Sequence, residues 1–167
     1  MKPMTEQNVQ RAFSGESQAH MKYLAFAKQA EKEGYPNVAR LFRAVASAEE
    51  KHAHYHLNIL GGVGSTEANL KEAFEGEDHE VEHMYPAFSE VAKLEGEKDA
   101  DKGYYYAIEA EKNHRPLYDD AKSSVAAEQD IDETPIYVCS FCGRTGRGTP
   151  PDRCPICNTP GEKFEIH

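Results

Sequence analysis

The pattern Glu-x-x-His occurs at Glu49 and His52 and again, 62 residues later, at Glu111 and His114. In each copy the two side chains are three residues apart, a spacing that places them side by side on one face of an α-helix. Carboxylate oxygens and imidazole nitrogens are ligands for iron, manganese and zinc. A single copy would more often be a solvated acid beside a structural histidine. Two copies at the same offset of 62 residues predict a metal site.

Three further glutamates, Glu16, Glu77 and Glu80, lie within helical stripes of apolar residues. Burying carboxylates without partners costs several kcal/mol each, and a pair of divalent metal ions would offset that cost. One glutamate from each of two helices, together with Glu-x-x-His from two others, is the ligand arrangement of di-iron and di-manganese carboxylate bundles. We therefore predict a two-metal site in the interior of a helical bundle.

The elements that must position these ligands are four long helices within residues 1–128, where apolar residues recur at three- and four-residue intervals. Gly34 and Pro36 separate a helix that ends near residue 33 from one that begins near residue 36. The glycine-rich segment 61–64 is a second break, after which Ser65 or the following threonine can cap a third helix. Gly96 ends the third helix, and the fourth begins near residue 98. Four helices with short connections predict a bundle.

The two halves of the bundle region repeat each other, with one irregularity. Most equivalent positions are 62 residues apart, but Glu16 and Glu77 are only 61 apart. The second half therefore has one extra residue after Glu77, near Glu80. An insertion of one residue within a helix is absorbed as a π-bulge, and such bulges are frequent at functional sites. We predict a π-bulge at Glu80.

The four cysteines of the chain form two Cys-x-x-Cys pairs near its end, at Cys139 and Cys142 and at Cys154 and Cys157. Together they can hold one metal ion in tetrahedral sulfur coordination, which suits iron or zinc. The surrounding residues favour rubredoxin-type iron over a zinc ribbon. Disulfide bonds between the cysteines are the least favoured interpretation. The acidic segment 129–135 is predicted to be a linker, and residues 136–167 a small module that depends on its metal.

Composition excludes several classes of function. The formal net charge is -10, which argues against nucleic acid as the main partner because phosphate binding needs a basic surface. No apolar run approaches the roughly 18 residues that a membrane helix needs, so no membrane association is expected. The first ten residues lack the apolar core of a secretory signal. A reducing, cytoplasmic location is expected, which agrees with cysteines that bind a metal.

The order of these motifs resembles that of the rubrerythrins over nearly the whole chain. The resemblance includes the segments Gly15–Ala19 and Gly76–Glu80, Met84-Tyr85-Pro86, both Glu-x-x-His pairs and the terminal cysteine pairs. It implies an all-α, four-helix, ferritin-like bundle followed by a small rubredoxin-like β/loop domain. It also implies a set of ligands for two irons: Glu16, Glu49, His52, Glu77, Glu80, Glu111 and His114. Cys139, Cys142, Cys154 and Cys157 would hold one further iron.

The resemblance assigns finer roles as well. Glu49 and Glu111 would bridge the two irons, and Glu80 and His52 would exchange as ligands of one iron with redox state. Tyr23 and Tyr85 would hydrogen-bond ligand carboxylates. Manganese or zinc could replace iron in the bundle, and zinc could replace iron between the cysteines.

The activity implied by the resemblance is that of a non-haem di-iron peroxidase that reduces hydrogen peroxide to water and protects against oxidative stress. Electrons would come from a reductase or rubredoxin through the cysteine-bound iron. A ferritin-like ferroxidase or iron-handling protein is the main alternative, and a zinc-ribbon interaction module on a structural bundle is another. Whether hydrogen peroxide or an organic peroxide is preferred stays open.

The connection between the second and third helices is too short for a ferritin-like bundle made from one chain. From Glu49 to the end of its helix, and from the start of the next helix to Glu77, each helical leg is about 16 Å. A return connection must therefore cover about 32 Å, whereas five or six residues span at most about 20 Å. Either the third and fourth helices complete a partner's bundle in a domain-swapped homodimer, or helices two and three form a simple hairpin. The family resemblance favours the swapped dimer.

Overall fold

The computed structural model describes residues 1–167, which divide into two compact units, residues 1–64 and residues 65–167. The first unit contains α1 (Pro3–Lys32) and α2 (Pro36–Ile59). The second contains α3 (Thr66–His79), a π-helical turn (Glu80–Met84), α4 (Tyr85–Glu95) and α5 (Lys98–Ala126), followed by the strands β1 (Ile136–Cys139), β2 (Thr145–Arg147) and β3 (Phe164–Ile166). A short 3-10 turn, Gly161–Lys163, precedes β3. The predicted fold class, helices followed by a small β/loop module, is confirmed.

In the first unit, α1 and α2 form an antiparallel hairpin with alanine at its closest approach. Gly34 adopts a left-handed φ of +83° and Pro36 occupies the first turn of α2, so the helices end and begin where the sequence predicts. Ala27, Ala30 and Ala39 are buried and pack with Phe42. Such small side chains let the two helix backbones come close together.

The opposite face of α2 is not buried in the chain. Val38 and Leu41, which the helical pattern places on an inward stripe, are 44% and 62% exposed. Tyr55 and Ile59 on the same helix are 67% and 41% exposed. This stripe stays exposed in the single chain, because a two-helix hairpin packs only one face of each helix.

In the second unit, α3, the π-turn and α4 pack against α5. The Ser65 hydroxyl accepts a hydrogen bond from the amide of Ala68 and caps α3, while Gly96 ends α4 in the left-handed conformation with φ of +79°. The π-turn begins at Glu80, so the predicted π-bulge is confirmed. The extra residue in the second repeat is thus absorbed without breaking the helical path from Thr66 to Glu95.

The C-terminal module is a three-stranded antiparallel sheet with strand order β2-β1-β3. Its core consists of Tyr137, Phe164, Cys139 and Cys154. A core this small stabilises little structure by itself, as the sequence predicts. None of the helices combines the length and apolar character needed to cross a lipid bilayer.

Candidate metal centres

The first unit brings together one glutamate from α1 and a Glu-x-x-His pair from α2. The ligand atoms of Glu16, Glu49 and His52 all lie within 4.8 Å of one another. The imidazole Nδ1 of His52 is 3.1 Å from Oε2 of Glu49 and 3.9 Å from Oε1 of Glu16. The side chain of Glu49 is 16% exposed and that of His52 is 58% exposed, so this cluster is open on its histidine side.

The second unit builds the equivalent cluster from α3 and α5. The ligand atoms of Glu77, Glu111 and His114 also lie within 4.8 Å of one another. Here Nδ1 of His114 is 2.5 Å from Oε2 of Glu111 and 3.6 Å from Oε1 of Glu77. All three side chains are largely buried. The internal repeat of the sequence is thus a repeat of geometry, with two carboxylates and one imidazole in each cluster.

Glu80 stands at the start of the π-turn, one turn after Glu77. Its carboxylate does not belong to the three-residue cluster, but it is close enough to Glu111 and His114 for their charges to act on it. Partial burial and the negative charge of Glu111 raise the pKa of Glu80 above its ordinary value. The π-turn accommodates the one residue that the second half of the sequence repeat has in excess of the first half. The first half has no acidic residue equivalent to Glu80.

The four cysteines form a compact sulfur cluster in the C-terminal module. Sγ of Cys139 is 3.6 Å from Sγ of Cys157, and Sγ of Cys142 is 3.5 Å from Sγ of Cys154. A tetrahedron of sulfur atoms about 2.3 Å from a central metal has edges of about 3.8 Å, which these separations approach. The cluster therefore has the dimensions of a four-sulfur metal site.

The backbone of each cysteine pair explains why the sulfur atoms converge. The amide of Gly143 donates to the carbonyl of Cys139 at 3.0 Å, and the amide of Asn158 donates to the carbonyl of Cys154 at 2.8 Å. Gly143 and Asn158 both take positive φ values, 78° and 63°. Each pair is followed by a left-handed residue that closes a tight turn, a role that glycine and asparagine tolerate best.

Known protein families match both the helical part and the C-terminal module of the chain. A family model described as Rubrerythrin matches residues 7–122, and one described as the rubredoxin-like domain of rubrerythrin matches residues 137–165. The chain belongs to the rubrerythrin family. It is 40% identical to Rubrerythrin-2 of Clostridium acetobutylicum, over 97% of this chain and 96% of the relative.

Nigerythrin is a second relative of this rubrerythrin family member. The protein of that name from Nitratidesulfovibrio vulgaris is 33% identical, over 98% of this chain and 86% of the relative. The solved structure described as fully reduced, all-ferrous nigerythrin matches with a TM-score of 0.59 at 33% identity, over 98% of this chain and 86% of that one. The chain thus carries the Glu/His set of a rubrerythrin di-iron site and the four cysteines of a rubredoxin-like iron site.

The electrostatics of the carboxylate clusters fit divalent metal ions. Burial, together with a hydrogen bond to Glu111 and its negative charge, raises the pKa of Glu77 to about 7. The hydrogen bond to Glu49 likewise raises the pKa of Glu16. Burial alone would also raise the pKa of Glu111, but hydrogen bonds with His114 and Glu77 outweigh it and hold that pKa below its ordinary value. Carboxylates this close repel one another when ionised, and a bound cation removes that repulsion.

The cysteine cluster, like the carboxylate clusters, has ionisable groups whose charged forms a metal ion would stabilise. Burial raises the pKa of Cys142 and of Cys154. Burial also opposes ionisation of Cys157, yet hydrogen bonds from Thr159 and interactions with neighbouring thiols lower its pKa to about 6. Metal-binding cysteines are thiolates, and a metal ion stabilises the charges that this buried setting otherwise disfavours.

The two tyrosines singled out by the family resemblance lie in aromatic clusters. Tyr23 contacts the rings of Phe26 and Phe42. Tyr85 contacts Tyr104, and burial followed by the charge of Glu80 raises its pKa. That Tyr23 and Tyr85 hydrogen-bond ligand carboxylates stays a prediction.

One contact of His114 could not be predicted from the sequence. Nε2 of His114 lies 3.2 Å from the carbonyl oxygen of Gly143 and 3.0 Å from Oγ1 of Thr145. These residues are separated from His114 by 29 and 31 positions, and no periodic pattern links a helix to a loop at that distance. The contact joins the second carboxylate cluster directly to the cysteine module.

Proposed function

We propose that this chain is a non-haem di-iron peroxidase that reduces hydrogen peroxide to water, with electrons supplied through a cysteine-bound iron. The observation that carries the proposal is the direct contact between His114, beside two clustered carboxylates, and the loop that follows Cys142. A protein that only stores iron has no evident use for an electron carrier docked on a ligand. Protection against oxidative stress is the corresponding physiological role.

The residues that would hold the two irons are Glu16, Glu49, His52, Glu77, Glu80, Glu111 and His114. When bound, the irons would supply the electrons that reduce the O–O bond. Manganese and zinc accept the same donor atoms, so the donor set allows these metals to substitute.

Reduction of hydrogen peroxide to two waters consumes two electrons and two protons. Glu80 is suited to hold one of these protons at a carboxylate oxygen, since partial burial and Glu111 raise its pKa. We assign Glu80 and His52 as the groups that change position during turnover. Tyr23 and Tyr85 would hold the surrounding carboxylates in place through their hydroxyls.

We further propose that the working unit is a domain-swapped homodimer. Of the seven proposed ligands, the first compact unit contains three and the second contains four, so neither unit carries the complete set. With α2 ending at Ile59 and α3 beginning at Thr66, the connection is too short for a return along the bundle of about 32 Å. The exposed apolar stripe of α2, with Leu41 at 62% and Tyr55 at 67% exposure, needs a partner surface. In this assembly residues 1–128 form bundles, residues 129–135 link them to the modules, and residues 136–167 hold the cysteine-bound iron.

Metal analysis combined with anaerobic peroxide turnover tests the proposal. The purified protein should contain iron in both kinds of site, and its ferric cysteine site should colour it red. After anaerobic reduction, hydrogen peroxide should reoxidise both sites faster than dioxygen does. Sustained turnover requires an added electron donor, for which a reductase or a small rubredoxin is suited.

Two outcomes would overturn the proposal. Preferential oxidation by dioxygen, with accumulation of iron well beyond the ligand sites, would indicate a ferroxidase or iron-handling protein. A colourless protein that keeps zinc between its cysteines after reconstitution with iron would remove the electron-transfer part. Comparison of hydrogen peroxide with an organic peroxide in the same assay identifies the preferred substrate.

A further inference from the structure

The imidazole of His114 is held from both sides. Its Nδ1 faces the carboxylates, 2.5 Å from Glu111 and 3.6 Å from Glu77. Its Nε2 faces the cysteine module, 3.2 Å from the carbonyl oxygen of Gly143 and 3.0 Å from the hydroxyl of Thr145. The two nitrogens thus have different surroundings, one acidic and one built from a loop.

The chemistry of the loop decides which nitrogen carries the proton. A backbone carbonyl can only accept, so the contact with Gly143 requires Nε2 to be a donor. The Thr145 hydroxyl donates its own hydrogen to the same carbonyl at 3.0 Å, which leaves Oγ1 to accept from Nε2. Both partners therefore require a hydrogen on Nε2. The hydrogen that Nδ1 shares with Glu111 is then the one that a bound metal ion would displace, and the neutral ring would present its Nδ1 lone pair to that metal.

We propose that Thr145 is a positioning residue, whose hydroxyl acts with the Gly143 carbonyl to hold the Nε2-protonated tautomer of His114 and to aim Nδ1 at the metal. This inference rests on the proposed role of His114 as a ligand. A fixed outer partner orients a histidine ligand and increases its basicity, and loss of such a partner typically weakens metal binding about 10- to 100-fold.

The position of the Thr145 hydroxyl is itself set by the cysteine site. Thr145 is the first residue of β2 and pairs with Val138 of β1. The amide of Cys139 donates to the carbonyl of Arg144 at 2.8 Å, so the backbone leading into β2 is tied to a cysteine ligand. The cysteine module therefore acts on the carboxylate cluster through defined hydrogen bonds as well as by proximity.

The equivalent histidine of the first unit has no such support. His52 is 58% exposed, and within its own unit its Nδ1 faces Glu49 and Glu16. These two Glu-x-x-His pairs are alike in sequence, but hydrogen bonds fix the imidazole ring of His114 more firmly than that of His52. His114 is the anchored member and His52 the unrestrained one, which agrees with the proposed movement of His52 during turnover.

The test compares zinc binding to the carboxylate site in full-length chains whose cysteine site is already filled with zinc. Thr145→Val removes the hydroxyl at nearly constant volume and should weaken zinc binding about 10-fold. Thr145→Ser keeps the hydroxyl and should stay within about 2-fold of the wild type. Thr149→Val changes an exposed threonine of the same module and is the matched control.

A nitrogen-correlated NMR spectrum of the zinc-loaded chains provides an independent readout. The wild type and Thr145→Ser should show a protonated Nε2 on His114 that exchanges slowly with solvent, and Thr145→Val should show faster exchange. Wild-type zinc affinity together with an unchanged Nε2 signal in Thr145→Val would overturn the positioning role.

A His114→Ala chain separates this inference from the proposed function. If His114→Ala loses zinc affinity while Thr145→Val does not, the ligand assignment stands and the positioning role fails. If His114→Ala binds zinc as the wild type does, His114 is not a ligand, and both the positioning role and that part of the proposed function fail.

Discussion

The imidazole Nδ1 of His114 lies 2.5 Å from a carboxylate oxygen of Glu111, one turn earlier on α5. The same relationship recurs between His52 and Glu49 on α2 at 3.1 Å. Each pair is completed by a glutamate from a neighbouring helix, Glu77 in one case and Glu16 in the other. The chain thus contains two copies of one arrangement of two carboxylates and one imidazole.

The Glu77 carboxyl should control part of the pH dependence of the metal-free protein. Burial and Glu111 raise its pKa to about 7 from an ordinary value of 4.5. A raised pKa in the folded state means that protonation favours folding. This contribution is fully present below about pH 4.5 and is lost as the pH rises through about 7. The free energy of unfolding should therefore fall between about pH 5 and pH 8 more steeply in the wild type than in Glu77→Gln.

Urea denaturation of metal-free protein across this pH range measures the effect. Glu75→Gln is the matched control because Glu75 is on the same helix, is 64% exposed and forms only a surface ion pair with Lys71. Its pH dependence should equal that of the wild type. An identical pH dependence in Glu77→Gln would show that Glu77 is ionised in the folded, metal-free state.

Replacing Glu80 with alanine should slow peroxide turnover more than it weakens metal binding. Glu80 lies at the π-turn outside the three-residue cluster, so Glu77, Glu111 and His114 can still hold a metal ion. Loss of a group that transfers a proton typically costs 10²- to 10⁴-fold in rate. We expect a loss of about 100-fold in turnover with less than about 10-fold loss in metal affinity.

Stopped-flow reoxidation of anaerobically reduced protein, with metal content measured on the same sample, checks this prediction. Glu90→Ala is the control, since Glu90 is an exposed glutamate of α4 that pairs only with Lys93. Equal losses of turnover and metal binding in Glu80→Ala would mean that Glu80 acts only as a ligand.

The cysteine module should unfold without its metal while the helices remain. Cys154 is 2% exposed and belongs to the small core formed with Tyr137 and Phe164. Cys154→Ser should remove one metal ion per chain, because a serine hydroxyl is a harder and weaker ligand than the thiolate that it replaces. A structural metal contributes about 10 kcal/mol or more to the folding of so small a domain.

Metal analysis and circular dichroism together measure this effect. The metal content should fall by one ion per chain, the red colour should vanish, and the helical signal should be nearly unchanged. Retention of a folded module in Cys154→Ser, seen as protected amides in β1 and β3, would contradict the dependence on metal.

Lengthening the connection between α2 and α3 should convert the proposed dimer into a monomer. The existing connection lies between Ile59 and Thr66. A flexible glycine-serine chain has a mean reach of about 5–6 Å times the square root of its length, so about 30 inserted residues have a mean reach of about 27–33 Å, which matches the return of about 32 Å. Insertion between Gly62 and Gly64 avoids the helix ends.

Light scattering coupled to size exclusion distinguishes the two states. The wild type should elute as a dimer, and the insertion variant should gain a monomer with an unchanged ratio of iron to chain. A matched insertion of the same sequence into the linker at residues 129–135 should leave the dimer intact. A wild-type monomer with a full complement of iron would favour a hairpin bundle instead.

Much of the local structure follows from the sequence because its causes are local. Gly34, Ser65 and Gly96 mark helix ends through backbone conformation and capping, which depend on neighbouring residues only. The difference between offsets of 61 and 62 residues was enough to predict the π-turn at Glu80. A continuous helix can absorb one extra residue by forming a π-bulge, and few other local structures would keep the helix unbroken.

The composition of both metal sites also follows from the sequence by itself. Residue type and spacing determined that Glu49 and His52, and Glu111 and His114, share helix faces. Two cysteine pairs predicted a four-sulfur site, and the Sγ separations of 3.5 and 3.6 Å agree with it. These predictions succeeded because ligand chemistry restricts residue types strongly.

Only the tertiary structure decided what each cluster touches and what it leaves exposed. Helical periodicity assigned Leu41 to an inward stripe, yet it is 62% exposed, because periodicity identifies an apolar face without identifying its partner. The contact between His114 and Thr145 joins residues 31 positions apart through a helix and a strand that have no common pattern. Such contacts depend on how elements pack in three dimensions, and here that packing distinguishes a restrained histidine from an unrestrained one.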